Sequence, residues 1–152
     1  MTKDAVVLDL LDFAIEEEEA AAEFYTRLAK LQKKDWMRKV LEGFAKEEAG
    51  HKAKLLDIKQ NNKFFAPTAE RVTDLKIADY TVDVELSENL DFQQALIIAM
   101  KKEKSAFRLY SDLAEVADTP ELRQTFLALA QEEAKHKLRF EVEYDEAILN
   151  EN

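Results

Sequence analysis

Two six-residue segments, EEAGHK and EEAKHK, contain the only two histidines of this 152-residue chain. In each segment a glutamate stands three residues before the histidine: Glu48 precedes His51, and Glu133 precedes His136. Residues i and i+3 share one face of a helix, so each pair can offer a carboxylate and an imidazole to the same cation. One such pair is weak evidence, because charged helices often contain it in solvated form. Two copies that hold both histidines predict a metal site.

The two segments belong to a longer internal repeat. Shifting the chain by 85 residues aligns its two halves over 49 positions with 14 identities and no gap. The identical pairs include Glu18 with Glu103 and Tyr25 with Tyr110. We therefore expect one helical hairpin to occur twice, with the two copies related by an approximate two-fold axis.

The repeated residues lie on four segments whose apolar side chains recur at helical spacing. The first segment runs from about 4 to 32, and the second begins near Asp35, a suitable N-cap. The third begins around 89–91, and the fourth begins with Thr119 as cap and Pro120 at the first helical position. Short loops join the first segment to the second and the third to the fourth. Each pair should therefore form an antiparallel hairpin.

These segments predict an all-α fold, a four-helix bundle in a single domain of residues 1–152. The chain contains only two glycines and two prolines, which agrees with helices throughout. The hairpin repeats are expected at about 4–58 and 89–148, and a long crossover is expected at about 59–88. The crossover should pack on the bundle as a short helix or an extended piece, and its length allows the third helix to start at the opposite end of the bundle.

The apolar stripe of each helix turns one carboxylate inward near its centre. Two of the helices add a histidine one turn later. The predicted inward positions of the four helices, in order, are Leu8, Leu11, Ile15, Glu18, Ala22, Tyr25 and Leu28; Leu41, Phe44, Glu48, His51 and Leu55; Leu96, Met100, Glu103, Phe107, Tyr110 and Leu113; and Leu122, Phe126, Leu129, Glu133, His136, Phe140 and Tyr144. The neighbouring acidic residues are assigned to the solvated face, with a register one residue away left open: Glu16, Glu17, Glu19, Glu47 and Glu132.

Four inward glutamates cannot all stay ionised in a low-dielectric interior, because desolvation and like-charge repulsion each disfavour the charged form. Two divalent cations would balance the four negative charges while both histidines stay neutral. Carboxylate and imidazole ligands with open positions suit non-haem iron better than structural zinc, and manganese is also compatible. The residues themselves thus predict a dinuclear site.

At these positions the sequence resembles the rubrerythrin-type proteins of the ferritin-like superfamily. The resemblance is carried by EEEAAAEFY, EEAGHK, KEKSAFRLY and EEAKHK and covers all four helices. It implies a ferritin-like four-helix bundle that binds two irons reacting with dioxygen or hydrogen peroxide. It also implies that the glutamates of the two Glu-x-x-His pairs bridge the irons. The ligands carried over by position are Glu18, Glu48, His51, Glu103, Glu133 and His136.

Two departures from the family pattern are visible. Rubrerythrins proper carry a rubredoxin-like domain with four cysteines, and this sequence contains no cysteine, so electrons should come from a separate donor protein. The family also commonly has a further glutamate three residues after Glu103, where this chain has Ala106; the equivalent residue after Glu18 is Ala21. The remaining ligand set is closer to the symmetric six-ligand site of bacterioferritins.

Charge and hydropathy narrow the choice of partners. A formal net charge of −10 argues against nucleic acid and anionic membranes as partners. No apolar run approaches the roughly 18 residues of a membrane span, and the N-terminal residues do not resemble a signal peptide. We therefore expect a cytoplasmic protein. The resemblance further implies a homodimer, although the sequence does not identify the interface.

The predicted activity is that of a redox enzyme, a peroxidase or ferroxidase that reduces hydrogen peroxide or dioxygen with two electrons. Two alternatives remain open: an iron-binding protein for storage or handling without turnover, and a structural helical module whose inward glutamates are protonated. Tyr25 and Tyr110 face inward two turns from Glu18 and Glu103. They are predicted either to pack in the core or to donate second-shell hydrogen bonds to ligand carboxylates.

Overall fold

The computed structural model describes residues 3–61, 76–82, 91–117 and 119–151. These residues form four long helices and one turn of 3-10 helix, and none of them lies in a β-strand. The all-α prediction is therefore confirmed. The elements are α1, Lys3–Lys30; α2, Asp35–Gln60; the 3-10 helix, Ile77–Tyr80; α3, Phe92–Val116; and α4, Pro120–Glu151.

The chain divides into two compact units, Met1–Leu75 and Lys76–Asn152. In the first unit α1 and α2 form an antiparallel hairpin. Lys59 contacts Asp12 near the open end, and Lys52 lies 3.2 Å from Glu19 nearer the middle. Residue numbers therefore rise along α1 as they fall along α2, which confirms the first predicted hairpin.

In the second unit α3 and α4 form the other hairpin, and the 3-10 helix packs on α3. The hydroxyl of Tyr80 donates a hydrogen bond to Asp112 Oδ2 at 2.6 Å. The hydroxyl of Ser105 donates to the backbone carbonyl of Tyr80. These two bonds attach the short helix that was expected within the crossover. The other crossover residues, 62–75 and 83–90, lie outside the described part of the chain.

Both hairpin turns are closed by the same hydrogen bond. Arg38 donates from Nη2 to the backbone carbonyl of Gln32 at 3.3 Å, and Arg123 donates from Nη2 to that of Ala117 at 3.2 Å. Each donor and acceptor stands 85 residues from its counterpart. The internal repeat therefore extends from the helices to the contacts that join them.

The predicted starts of α2, α3 and α4 are all confirmed, but the cap assigned to α2 is not. Asp91 accepts from the backbone N–H of Gln94 at 2.7 Å, and Gln94 Oε1 accepts from the backbone N–H of Asp91, which completes a capping box. Thr119 Oγ1 accepts from the backbone N–H of Leu122 at 3.2 Å. The cap assigned to Asp35 was wrong: α2 is preceded by Lys34, and Asp35 lies inside the first turn, where its charge favours the helix N-terminus.

The core lies slightly to one side of the predicted stripe. Phe107 was expected inside, yet its side chain is 41% exposed, and Met100 is half-buried. The equivalent residues of α1, Ala22 and Ile15, are also half-buried. The buried face is thus displaced from the predicted stripe in the same direction in both repeats, because packing against the partner helix sets the rotation of each helix about its own axis. None of the described helices has an apolar run sufficient to cross a membrane.

Candidate metal centre

In the first unit Glu18 of α1 lies beside Glu48 and His51 of α2. All three side chains are buried. His51 Nδ1 lies 3.4 Å from Glu48 Oε1 and 3.5 Å from Glu18 Oε2. Each residue offers one ligand atom, and these atoms lie within 4.8 Å of one another. We call this group the N-terminal cluster.

The second unit repeats the arrangement with Glu103 of α3 and Glu133 and His136 of α4. These residues are also buried, at no more than 2% exposure. His136 Nδ1 lies 3.8 Å from Glu103 Oε2, and the three residues again offer ligand atoms within 4.8 Å of one another. This group is the C-terminal cluster. The hairpin geometry thus brings together the three predicted ligands of each half.

The spacing inside each cluster suits a shared cation. Two donor atoms that each lie about 2.1 Å from one transition-metal ion are separated by roughly 3.0–3.4 Å for bond angles between octahedral and tetrahedral. The two separations at His51, 3.4 and 3.5 Å, are close to that range, and the separation at His136, 3.8 Å, is slightly wider. The donor set of carboxylate oxygens and imidazole nitrogen is the one that iron and manganese accept. Each cluster is therefore compatible with metal binding.

Electrostatics leads to the same conclusion. Each cluster holds two carboxyl groups away from water, and a buried pair of carboxylates is costly through desolvation and mutual repulsion. A divalent cation with a neutral histidine removes both costs. The neighbouring Glu16, Glu19, Glu47 and Glu132 are exposed, so the predicted register holds and these four residues belong to the solvated face.

The two tyrosines are buried as predicted. Tyr25 packs edge-on against Phe24, with ring centroids 5.7 Å apart, and against Phe44 of α2 at 6.3 Å. Tyr110 occupies the equivalent buried position of α3. The aromatic packing of Tyr25 agrees with a core role, while the predicted hydrogen bonds to ligand carboxylates stay a prediction.

Alanine occupies the position where rubrerythrin-type proteins commonly have a further glutamate, and it also occupies the equivalent position of the first repeat. Ala21 is buried and Ala106 is half-buried, each one helical turn after the single glutamate of its helix. Neither side chain can bind a metal. The candidate ligand set thus remains three residues in each unit.

One buried acid was not predicted from the sequence. Glu143 of α4 is buried and lies 2.9 Å from Arg139, one turn earlier on the same helix. Its counterpart in the first repeat is Ile58, which is also buried. Glu143 stands seven residues after His136, so both residues lie on the same helical face. That spacing could have predicted the burial of Glu143. The pairing with Arg139 compensates its charge within the helix.

The described residues are all-helical, and their buried Glu and His clusters on paired helices are those of a helical protein that could hold metal ions. The family model described as Rubrerythrin matches residues 9–144. The chain therefore belongs to the Rubrerythrin family, which confirms the predicted ferritin-like fold class. Family membership and the two clusters are together compatible with a di-iron site. No curated protein and no solved structure matches the chain.

Proposed function

We propose that this protein is a non-haem di-iron oxidoreductase that reduces hydrogen peroxide or dioxygen. The observation that carries the proposal is the buried Glu–Glu–His cluster, present once in each hairpin. In this proposal both clusters serve one centre with two irons. Its six ligands are Glu18, Glu48, His51, Glu103, Glu133 and His136.

Charge balance is compatible with a shared centre of two cations. Four carboxylates carry four negative charges, and two divalent cations carry four positive charges, so the filled site is neutral with both imidazoles unprotonated. Membership of the Rubrerythrin family supports the same arrangement. Iron is preferred over zinc for this donor set, and manganese is the alternative occupant.

The irons, when bound, would supply two electrons, which with two protons reduce one peroxide molecule to two waters. The protein's own residues prepare this chemistry. The carboxylates of Glu48 and Glu133 would hold cations from two helices, and the histidines would limit the negative charge at the site. Burial of all six side chains excludes bulk water, so electrostatic interactions there are strong. A separate donor protein would restore the electrons, since the chain has no cysteine for an iron–sulfur or rubredoxin site.

The activity is tested by mixing the anaerobic, ferrous-loaded protein rapidly with peroxide or with dioxygen. We expect oxidation much faster than that of free ferrous ion under the same conditions. The variant Glu48→Gln should slow it strongly, because it removes a charged ligand and keeps the shape of the side chain. The control is Glu47→Gln, which changes the exposed neighbour. Oxidation of the wild type no faster than that of free iron would refute the proposal.

Metal titration tests whether the two clusters act together. We expect two irons per chain, whereas a storage protein would take up many. His51→Ala and His136→Ala each disable one cluster. If one centre is shared, each variant should weaken binding of both ions by at least about tenfold, a coupling of roughly 1.4 kcal/mol. Independent sites would instead leave the second ion with its full affinity.

A further inference from the structure

The turn of the first hairpin concentrates positive charge in an otherwise acidic chain. Residues 27–39 contain six cations and one acid, whereas the whole chain has a formal net charge of −10. The single acid, Asp35, is paired with Arg38 at 3.0 Å. We call this segment the basic tip. Its other five cations are exposed, and they are Arg27, Lys30, Lys33, Lys34 and Lys39.

The basic tip also carries exposed apolar side chains. Leu31 is 70% exposed and Trp36 is 46% exposed, and no other large apolar side chain in the described residues 7–61 is exposed to this degree. Lys34 Nζ lies 5.9 Å from the centroid of the Trp36 ring. An apolar centre within a charged rim is the usual composition of a protein-binding surface, and tryptophan is enriched in such centres.

The internal repeat shows that this charge is not needed to build a hairpin turn. Residues 112–124, which lie 85 positions later, contain four acids and one cation. That cation is Arg123, the counterpart of Arg38, and each of these arginines donates to a backbone carbonyl of its own turn. Glu121 stands at the position equivalent to Trp36. The other cations and the tryptophan are therefore specific to the first hairpin, and the turn geometry does not account for them.

The surface behind the basic tip limits what can bind there. Glu23 stands one helical turn before Arg27, Glu42 stands about one turn after Lys39, and both glutamates are exposed. At physiological ionic strength charges act over about 8 Å, and one helical turn is only about 5.4 Å long. A nucleic acid or an anionic membrane presents negative charge beyond the width of the tip, so these glutamates would repel it. An acidic patch on a folded protein can match the tip alone.

We propose that the basic tip is a docking surface for an acidic protein. Carboxylates of the partner lie opposite the exposed cations, and an apolar side chain of the partner packs against Leu31 and Trp36. Complementary charge of this kind speeds association and sets orientation more than it strengthens binding. A single hairpin turn is also small beside a standard interface of roughly 800 Å² per partner. We therefore expect a transient complex whose affinity falls as salt is added, and this docking is independent of the proposed redox function.

Trp36 is the only tryptophan of the chain, so intrinsic fluorescence reports directly on the basic tip. The probe is a short synthetic peptide in which glutamates surround one leucine and one phenylalanine. Its addition should move the emission of Trp36 to shorter wavelength, because docking removes the indole from water. The same peptide with glutamine in place of glutamate should bind at least about tenfold more weakly. Raising the ionic strength from about 0.01 M to about 0.15 M should also weaken binding of the acidic peptide, because the Debye length becomes shorter.

Charge reversal tests whether the peptide binds at the basic tip. Lys30→Glu combined with Lys33→Glu should raise the dissociation constant of the acidic peptide at least about tenfold. The matched control is Lys101→Glu combined with Lys104→Glu, which reverses two exposed lysines of the same spacing on α3 and changes the net charge equally. The control should leave the affinity nearly unchanged. Trp36→Ala, measured by calorimetry, should weaken binding about tenfold by removing the apolar centre.

Two further probes, a short DNA duplex and vesicles of phosphatidylcholine with phosphatidylserine, test the other classes of partner. Both should bind more weakly than the acidic peptide. Tighter binding of either one, lost when Lys30 and Lys33 are reversed, would overturn the assignment to an acidic protein. No binding of the acidic peptide, equal binding of its glutamine form, or an equal loss in the α3 control would also overturn the proposal. Circular dichroism of each variant confirms that these exposed substitutions leave the helices intact.

Discussion

His51 Nδ1 lies 3.4 Å from Oε1 of Glu48, one turn earlier on α2. The two groups are held together in a buried position where Glu18 adds a second carboxylate. Such an arrangement gives little stability to the metal-free protein, because the carboxylates repel each other away from water. A cation in the cluster would turn that repulsion into attraction.

The first prediction concerns the stability of the metal-free protein. Glu48→Gln, and separately Glu133→Gln, should raise its free energy of unfolding by roughly 1 kcal/mol, because neutralising one buried carboxylate relieves repulsion. Such a gain would raise the melting temperature by about 2–4 °C. The same variants should lose most of the stabilisation that added ferrous or manganous ion gives the wild type. Thermal unfolding with chelator and with metal measures both effects.

An exposed glutamate of the same helix gives the control for that prediction. Glu42→Gln should change neither the metal-free melting temperature nor the effect of metal. If Glu48→Gln destabilises the metal-free protein, the carboxylate has a structural partner that outweighs the repulsion. The assignment of the cluster to metal binding would then lose its electrostatic basis.

The second prediction concerns the contact between the 3-10 helix and α3. Burial raises the pKa of the Tyr80 hydroxyl above its ordinary value, and the hydrogen bond to Asp112 raises it further. Because the folded-state pKa is raised, the resulting stability is complete below the pKa of the unfolded chain, about 10. It is lost as pH rises from there toward the folded-state value.

Tyr80→Phe should therefore lower the free energy of unfolding by about 1 kcal/mol at neutral pH, the value of one hydrogen bond. The difference between wild type and variant should shrink as the pH is raised above about 10. Urea unfolding at neutral and alkaline pH measures it, and subtracting the variant's curve removes the titration of other groups. Asp112→Asn, which keeps an acceptor without the charge, should give a smaller loss. A difference that stays constant with pH would show that the Tyr80 hydroxyl is not the titrating group.

The third prediction tests the repeat at its turns. Arg38→Ala and Arg123→Ala should each lower the free energy of unfolding by about 1 kcal/mol, because each removes a side-chain bond to a turn carbonyl. Lys39→Ala, at the next position of α2, should have little effect. Denaturant unfolding of the three variants makes the comparison. A loss in only one of the two arginine variants would mean that the turns are not energetically equivalent.

Much of the fold could be predicted from the sequence because helical geometry is local. Residues three, four and seven apart share a face whatever the helix packs against, so the spacing alone identified the pairs Glu48–His51 and Glu133–His136. The same holds for the cap Thr119 and for the helix start around 89–91, since capping joins residues close in sequence. The single-domain assignment and the use of both clusters in one centre stay predictions.

The remaining details depended on contacts between helices. Phe107 was placed inside because it follows the apolar spacing, but the rotation of α3 against α4 leaves it at the margin of the buried face. Glu143 was overlooked because its burial and its pairing with Arg139 are not visible in composition. Asp35 was taken as a cap because aspartate is a common N-cap residue, whereas the structure has Lys34 at that position and Asp35 in the first turn.

The sequence by itself determined the helices, their repeat, and the types and spacing of six potential ligands, because these properties follow from residue chemistry and from a periodicity of 3.6 residues. Only the tertiary structure decided which side of each helix is buried, that the glutamate of one helix reaches the Glu–His pair of the next, and that the side chain of Trp36 on α2 stays exposed. Those features depend on the rotation and separation of packed helices, which side-chain packing sets and local periodicity does not.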